Sequence, residues 1–574
     1  MYNIPSLGFS KQNFDTIVNG IIRSIDRAHH SMTNTRIYIN TGQLTDTSIN
    51  RSPTAYMRNP VEERDRYGTN TDTNMTVLKM VSTSGQDLGA IVWFAVHCTS
   101  MNETNHLISS DNKGYASISF EKHMNGGTLV GKGPFVALFP NTNEGDVSPN
   151  TRGPRCVDTG LPCDAVSSTC NGDITKCIAS GPGKDMFEST QIIGEQQYKK
   201  AKELYDSANQ EIVGPIDYIH QTINMENIEV KLPNNRQQTV STCKAAMGVS
   251  FAAGTIDGPG LFPFTQGVTA NEFWNRISQN IIKTPKDLVD CQYPKPILLP
   301  TGYLKIPFPW EPSIVPTQIF RIGQLLIVSV PNEMTTMSGR RLRETVKNQY
   351  EKSSVNGTQV DVVISGLSNT YSSYVATFEE YQAQRYEGAS TLYGPYTLDA
   401  YLQQYRKLAA YLAANKQSQL DAGPREPDYN DKQFTVIPEA MPDCVPPGRK
   451  FGDCLSQPRL QYISGQRVKV SFVSADPRND VRSESTFLSV ERLDPQNNQW
   501  ILVATDANWE TRFLWKRINN SFLSCESQAT IIWDIPNDTL VGNYRIRHFG
   551  NYKDLTNKVF QFYGSTRNFR VMAN

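Results

Sequence analysis

The sequence has no excess of charge of either sign: Lys plus Arg and Asp plus Glu each number 56 in 574 residues. Without a net field it has no electrostatic footprint for nucleic acid or for an anionic membrane surface. No apolar run approaches the roughly 18 to 20 residues of a membrane-spanning helix; the longest, Ile91 to Val96 and Leu325 to Val330, are of strand length. Histidine is scarce, at seven, which excludes a His-rich metal centre. There is no Gly-x-Ser-x-Gly elbow, and no pair of cysteines stands at the close spacing that zinc modules use. Met1 to Gly8 carries neither the charged region nor the continuous apolar region of an export signal.

What is present describes a large globular protein, with 38% hydrophobic and 20% charged residues and a length that suggests two or more domains. Cys156, Cys163, Cys170 and Cys177 stand seven residues apart in a stretch rich in Gly, Pro, Asp and Ser. Such a stretch has no core of its own, so two disulfides are the favoured reading, with a four-thiolate zinc site as the rival. Sequence does not choose among the three pairings. Glycosylation acceptors at Asn74, Asn102, Asn356, Asn519 and Asn537 fit the same oxidising compartment. The expectation is an extracellular or cell-surface protein that has passed through the secretory pathway.

Along the chain, Asn13 to His29 has a 3.6-residue apolar period and reads as an amphipathic helix. Strands are expected at Arg36–Ile39, Met75–Met80 and Leu88–Val96, the last ending on His97, an imidazole placed where strand meets loop. Arg51 lies in the polar loop between the first two strands. Ser110 and Asp111 open a helix through about Met124. The apolar run Phe135 to Pro140 reads as a buried strand, and it leads into Asn143-Glu144-Gly145-Asp146-Val147-Ser148-Pro149-Asn150. Ser148 is the candidate reactive hydroxyl, although by spacing alone a turn is the plainer reading. A long helix is expected over Lys184–Glu211, and strands at Ile228–Val230 and Gly248–Phe251.

The aromatic, Gly/Pro-rich connection Ala252 to Pro316 suits an apolar substrate slot or a cover for the core, with Cys243 and Cys291 placed to clip its ends. A strand over Thr317–Val330 leads to Glu333, a metal-capable group that an opening helical turn would also favour. A further strand, Val360–Ile364, leads to Tyr374 and Tyr386. The order of elements predicts an α/β (α+β) catalytic domain with a mixed sheet over residues 1–420, then a linker at 421–440. Short β-rich runs over 441–574 predict an immunoglobulin-like β-sandwich. Within it Asp506, Asn508 and Thr511 offer closely spaced oxygens for Ca²⁺ or Mg²⁺, with a simple turn as the alternative. Cys444 and Cys454 are expected to pair locally, leaving Cys98 and Cys525 without an obvious partner.

Several long motifs then appear in order: Phe94 to His97, Ser110 to Ser117, Gly145 to Asn150, Phe251 to Gly258, Thr335 to Arg343, and Glu379 to Glu387. Through them the chain resembles the neutral ceramidases, zinc amidohydrolases that split ceramide into sphingosine and a fatty acid, over nearly its whole length. The resemblance implies Ser148 as catalytic serine, His97, Glu333 and Tyr374 as zinc ligands, and Arg51 and Tyr386 at the reacting centre. It also implies a structural divalent ion in the C-terminal domain and the pairs Cys156–Cys170, Cys163–Cys177 and Cys243–Cys291. The substrate is then ceramide at a membrane surface. Either the serine or a zinc-activated water attacks the amide.

The family's first zinc ligand lies in a His-Thr-His segment upstream of the part matched here. The expectation is therefore a truncated or incompletely recorded ceramidase, with weakened zinc binding and little activity alone. The other readings are an impaired relative that binds sphingolipid or a protein partner, and a zinc esterase or peptidase of different specificity.

Overall fold

A computed structural model describes residues 2–4, 7–232, 239–269, 283–518 and 524–573. The larger, N-terminal part of the chain is built from two mixed sheets packed face to face, with helices on both outer faces. The first sheet takes Thr35–Gln43, Asn74–Ser82, Asp87–Trp93, Val136–Leu138 and Gln210–Glu211. Only the pairing of Asp87–Trp93 with Val136–Leu138 is parallel. The second sheet takes Ile216–Asn224, Ile314–Ile322, Leu325–Ser329 and Asp361–Ser365, the last two parallel.

The period-2 alternation of each strand explains the layering. Met75, Val77, Ala90 and Val92 face the helices Asp111–Met124 and Met186–Ser207 in one core. Leu78, Ile91 and Trp93, on the other face, meet Leu325, Ile327 and Val363 of the second sheet. Leu326, Val328 and Ile364 point onward to the helices Thr336–Ser353 and Thr397–Ala413. A strand buried on both faces reads as a continuous apolar run, which is how Leu325 to Val330 reads.

Several expectations change. The single strand over Thr317–Val330 is a hairpin, because Gly323 turns the chain at φ +56° between Ile322 and Leu325. Gly248 to Phe251 is not a strand: pairing stops at Met247–Gly248 and a helical turn, Val249–Ala252, follows. A Cβ on Gly248 would lie 3.0 Å from that of Ala389, so the glycine admits the helix Tyr386–Ser390 at close approach. The strand Val136–Leu138 buries only Ala137; Val136 and Leu138 are exposed because it is the edge of its sheet. The amphipathic helix is present at Lys11–His30, capped by Ser10, and its apolar residues, such as Ile17, Ile21 and Ile25, are exposed among the described residues.

After this part of the chain, two β-sheets share one core, with Val468, Val470, Phe472, Ile531 and Trp533 facing Leu488, Val490, Tyr544, Ile546 and Val571. This domain touches the first where Trp509 meets Tyr115 edge to face, ring centroids 5.0 Å apart, and where Arg512 covers the Phe187 ring. Disulfides join Cys156–Cys170, Cys163–Cys177 and Cys243–Cys291, as the resemblance implied. The regular cysteine ladder is thus a pair of cross-links and not a thiolate zinc site. The C-terminal expectation is corrected: Cys444 bonds Cys525, and Cys454 is free. Sequence distance misled here, because Cys444 pairs with the strand system 81 residues onward, where its backbone N–H also donates to the Cys525 carbonyl. Cys98 is the other free thiol.

The cross-link pattern is checked by thiol titration of the denatured, unreduced protein: two thiols per chain are expected, at Cys98 and Cys454. Replacing Cys525 by Ser should expose a third at Cys444 and lower stability by about 2–4 kcal/mol in denaturant unfolding.

Candidate active site

The parallel strand pairs bring their C-terminal ends to one edge, and the loops that leave those ends carry the chemistry. His97 lies four residues past Trp93, and Glu333 four past Ser329. Glu333 is not in an opening helical turn. It belongs to a two-residue strand, Glu333–Met334, and the following helix starts at Thr336 under a Thr335 cap. That short strand pairs in parallel with Tyr374–Val375, so register sets Glu333 directly beside Tyr374. Ser148 is likewise a strand residue, paired through Val147–Ser148 with Ile49–Asn50 and fully buried.

His97 is held twice by one carbonyl: its backbone N–H and its Nδ1 both lie 3.0 Å from the Val147 oxygen. A carbonyl only accepts, so Nδ1 carries the proton there. Nε2 lies 2.7 Å from Glu333 Oε2, at hydrogen-bonding distance. The other carboxylate oxygen of Glu333 accepts from the Tyr371 hydroxyl. Burial acts to raise the Glu333 carboxyl, but the His97 hydrogen bond and charge, with Tyr371, outweigh it and hold it below the usual range. Burial first, and the Glu333 charge second, push the Tyr374 phenol above its usual range.

Arg51 is the centre of a second cluster and is 4% exposed. Its Nε donates to Glu387 Oε1 at 2.8 Å, and its terminal nitrogens to the Gly145 carbonyl at 2.9 Å, Asp257 Oδ2 at 3.3 Å and Tyr374 Oη at 3.3 Å. Its guanidinium also lies over the Tyr374 and Tyr386 rings, 5.7 and 5.6 Å from their centroids. Tyr386 packs edge-on to Tyr374 and stacks on Phe251; burial pushes its phenol up to about 12. Arg385 braces this cluster, donating to the Arg51 carbonyl and to the carbonyls of Ala165 and Val166 in the disulfide-bonded loop.

The structure therefore brings together Arg51, His97, Ser148, Glu333, Tyr374 and Tyr386. Asp506, Asn508 and Thr511 lie apart, lining a cavity of about 380 Å³ at the junction with the catalytic region, together with Asp111. In that turn Asp506 accepts from the Phe487 N–H, Asn508 from the Thr505 N–H, and Thr511 Oγ donates to the Thr505 and Asn508 carbonyls.

Residue-by-residue reading missed four participants. Asp257 accepts the Ser148 hydroxyl, Glu387 pairs with Arg51, and Tyr371 holds Glu333. Tyr2 packs edge to face on Tyr371 at 4.7 Å, and its hydroxyl lies 3.0 Å from Ser373 Oγ. Asp257 and Glu387 stood inside long motifs, which was the available signal. Tyr2 and Tyr371 had none, since their roles depend on contacts between segments far apart in the chain.

The chain matches two family models, neutral/alkaline non-lysosomal ceramidase, N-terminal, over residues 1–403 and neutral/alkaline non-lysosomal ceramidase, C-terminal, over residues 405–571. It is 48% identical to neutral ceramidase B of Dictyostelium discoideum, covering all of this chain and 79% of that protein. It is 44% identical to the neutral ceramidase of Oryza sativa subsp. japonica, covering all of this chain and 82% of that one. Among solved structures, a ceramidase complexed with C2 superposes with a TM-score of 0.86 at 38% identity, covering this whole chain and 83% of that one. The neutral ceramidase of Pseudomonas aeruginosa gives 0.83 at 36% identity, with 100% and 82% covered.

The Arg51 cluster has a direct test. Arg51→Met leaves the buried carboxylates of Asp257 and Glu387 without their cation, and denaturant unfolding should show a loss of about 3–5 kcal/mol. Arg51→Lys should recover part of the charge and little of the forked geometry.

Proposed function

The chain belongs to the neutral/alkaline non-lysosomal ceramidase family, and from that premise we propose that it hydrolyses the N-acyl amide of ceramide with zinc, releasing sphingosine and a fatty acid. The observation that carries the reading is the convergence of an imidazole, a carboxylate and a phenol next to a buried serine and a buried arginine. His97 Nε2 and Glu333 Oε2 lie 2.7 Å apart, so that removing the proton they share would leave a nitrogen and an oxygen lone pair converging on one point, as a metal site requires. Tyr374, in register with Glu333, adds a third donor, and this nitrogen and oxygen set fits zinc. Bound there, zinc supplies Lewis-acid polarisation of the amide carbonyl.

The chain's own residues supply the rest. Val147 fixes the His97 tautomer through Nδ1, and Tyr371 orients the Glu333 carboxylate. Arg51 holds a permanent positive charge beside the Tyr374 hydroxyl and against Asp257, suited to negative charge that develops on the substrate oxygen. Tyr386, a neutral phenol stacked on Phe251, offers an apolar wall with a hydrogen-bonding tip.

The substrate is a membrane lipid, and no helix among the described residues is long and apolar enough to cross a membrane. We place the enzyme at the lipid surface from outside. Exposed Leu261 and Phe262 support this, in the segment that continues from Phe251. Secretory-pathway origin is supported by the disulfides and by exposed Asn74, Asn102 and Asn537; Asn519 lies outside the described residues, as does the Asn356 side chain. In the C-terminal sandwich, which we class as immunoglobulin-like, the all-oxygen set Asp506, Asn508 and Thr511 suits Ca²⁺ or Mg²⁺ at the domain junction.

The reading is tested with zinc-loaded protein and N-acylsphingosine in detergent micelles, measuring free sphingosine. Release is expected, abolished by chelation and restored by Zn²⁺; a loaded protein that releases none ends it. Tyr371→Phe removes only the hydroxyl that orients Glu333, so competition with a chelating dye should show zinc affinity about 10- to 100-fold weaker.

A further inference from the structure

We infer that Asp257 is a catalytic residue: its carboxylate is the proton acceptor that makes Ser148, rather than water, the group that first attacks the amide. The inference rests on the ceramidase reading for its substrate and on geometry for its chemistry. A serine hydroxyl is a weak nucleophile until a positioned base takes its proton. The Ser148 hydroxyl donates to Asp257 Oδ1 and accepts from the Asn150 backbone N–H at 3.1 Å. Among the described residues, Asp257 is thus the only base that receives this proton; the imidazole of His97 is committed to Val147 and Glu333.

The carboxylate is itself oriented as a catalytic base must be. Asn150 Nδ2 donates to the same Oδ1 at 2.9 Å, and Arg51 donates to Oδ2 at 3.3 Å. Both Ser148 and Asp257 are buried, at 0% and 8% exposure. The serine, the acid and the cation form one line from three separate segments, in which Arg51 takes the orienting place that an aspartate takes in a Ser-His-Asp triad.

The reaction balances with water as the only co-reactant. Ser148 Oγ bonds to the acyl carbon as its proton passes to Asp257 Oδ1. The C–N bond then breaks, and that proton moves to the leaving nitrogen, which departs as the free amine. The acyl group remains on Ser148 as an ester. A water molecule next gives a proton to Asp257 and bonds to the acyl carbon. The C–Oγ bond breaks, Ser148 recovers the proton from Asp257, and the fatty acid leaves.

The test separates this proposal from the substrate reading. A fluorophosphonate probe reacts with an activated serine by losing fluoride, whatever the natural substrate, and peptide mass spectrometry locates the label. Wild-type protein should be labelled on Ser148, and Asp257→Asn, with the same shape but no basicity, should be labelled roughly 10²- to 10⁴-fold more slowly. Its zinc content and thermal melt should match the wild type. Asn150→Ala, which loosens the carboxylate but keeps it, should slow labelling by about tenfold and covers the case in which Asp257→Asn does not fold. Wild-type protein unlabelled at Ser148, or variants labelled at the wild-type rate, would overturn the proposal. Labelling of Ser148 without turnover of N-acylsphingosine would uphold the Ser148–Asp257 pair and reject the substrate reading. Turnover with Ser148 unlabelled would do the reverse.

Discussion

A buried guanidinium is the constraint on which the site depends. Arg51 has been taken almost wholly out of water, and an ion in that position is tolerable only if it is paired and hydrogen-bonded. Its acceptors come from separate parts of the chain: Gly145 beside the serine loop, Asp257 in the aromatic connection, Tyr374 after the second sheet, and Glu387 in a helix near the end of the catalytic region. Satisfying one side chain therefore fixes four segments relative to one another. Arg385 extends the same network to the disulfide-bonded loop, which explains why a loop without a core of its own is cross-linked twice.

Around this ion the remaining geometry is set by backbone register, which is stiffer than side-chain packing. Glu333 and Tyr374 stand side by side because two short strands pair in parallel, and Ser148 is placed by its pairing with Ile49. A glycine completes the arrangement: a Cβ on Gly145 would meet the backbone of Met334 at 2.9 Å, so only glycine lets the serine loop approach the Glu333 strand so closely. Side chains held by strand ends and buried ion pairs are preorganised, with little entropy left to lose on binding.

Much of this was legible in the residues. Strand runs such as Met75–Met80 and the helix from Asp111 appear close to where pattern puts them, because alternation and capping are local properties. His97, Ser148 and Glu333 stood out as polar groups just beyond apolar runs. The hairpin hidden in Thr317–Val330 and the helical turn at Val249 were less legible: one depends on a single glycine, the other on how closely a later helix approaches. The Cys444–Cys525 bond was invisible because loop closure over 81 residues leaves no local mark.

By itself the sequence determined the strands and helices, the residue types able to do the chemistry, and the family to which the motifs point. These follow from periodicity and from runs of specific residues along the chain. Only the tertiary structure decided that two sheets lie back to back, that the Ser148 hydroxyl donates to Asp257 rather than to an imidazole, and that Tyr371 and Tyr2 stand behind Glu333. Those are contacts between distant segments, selected because a buried charge or hydroxyl must find its partner wherever the folded chain provides one.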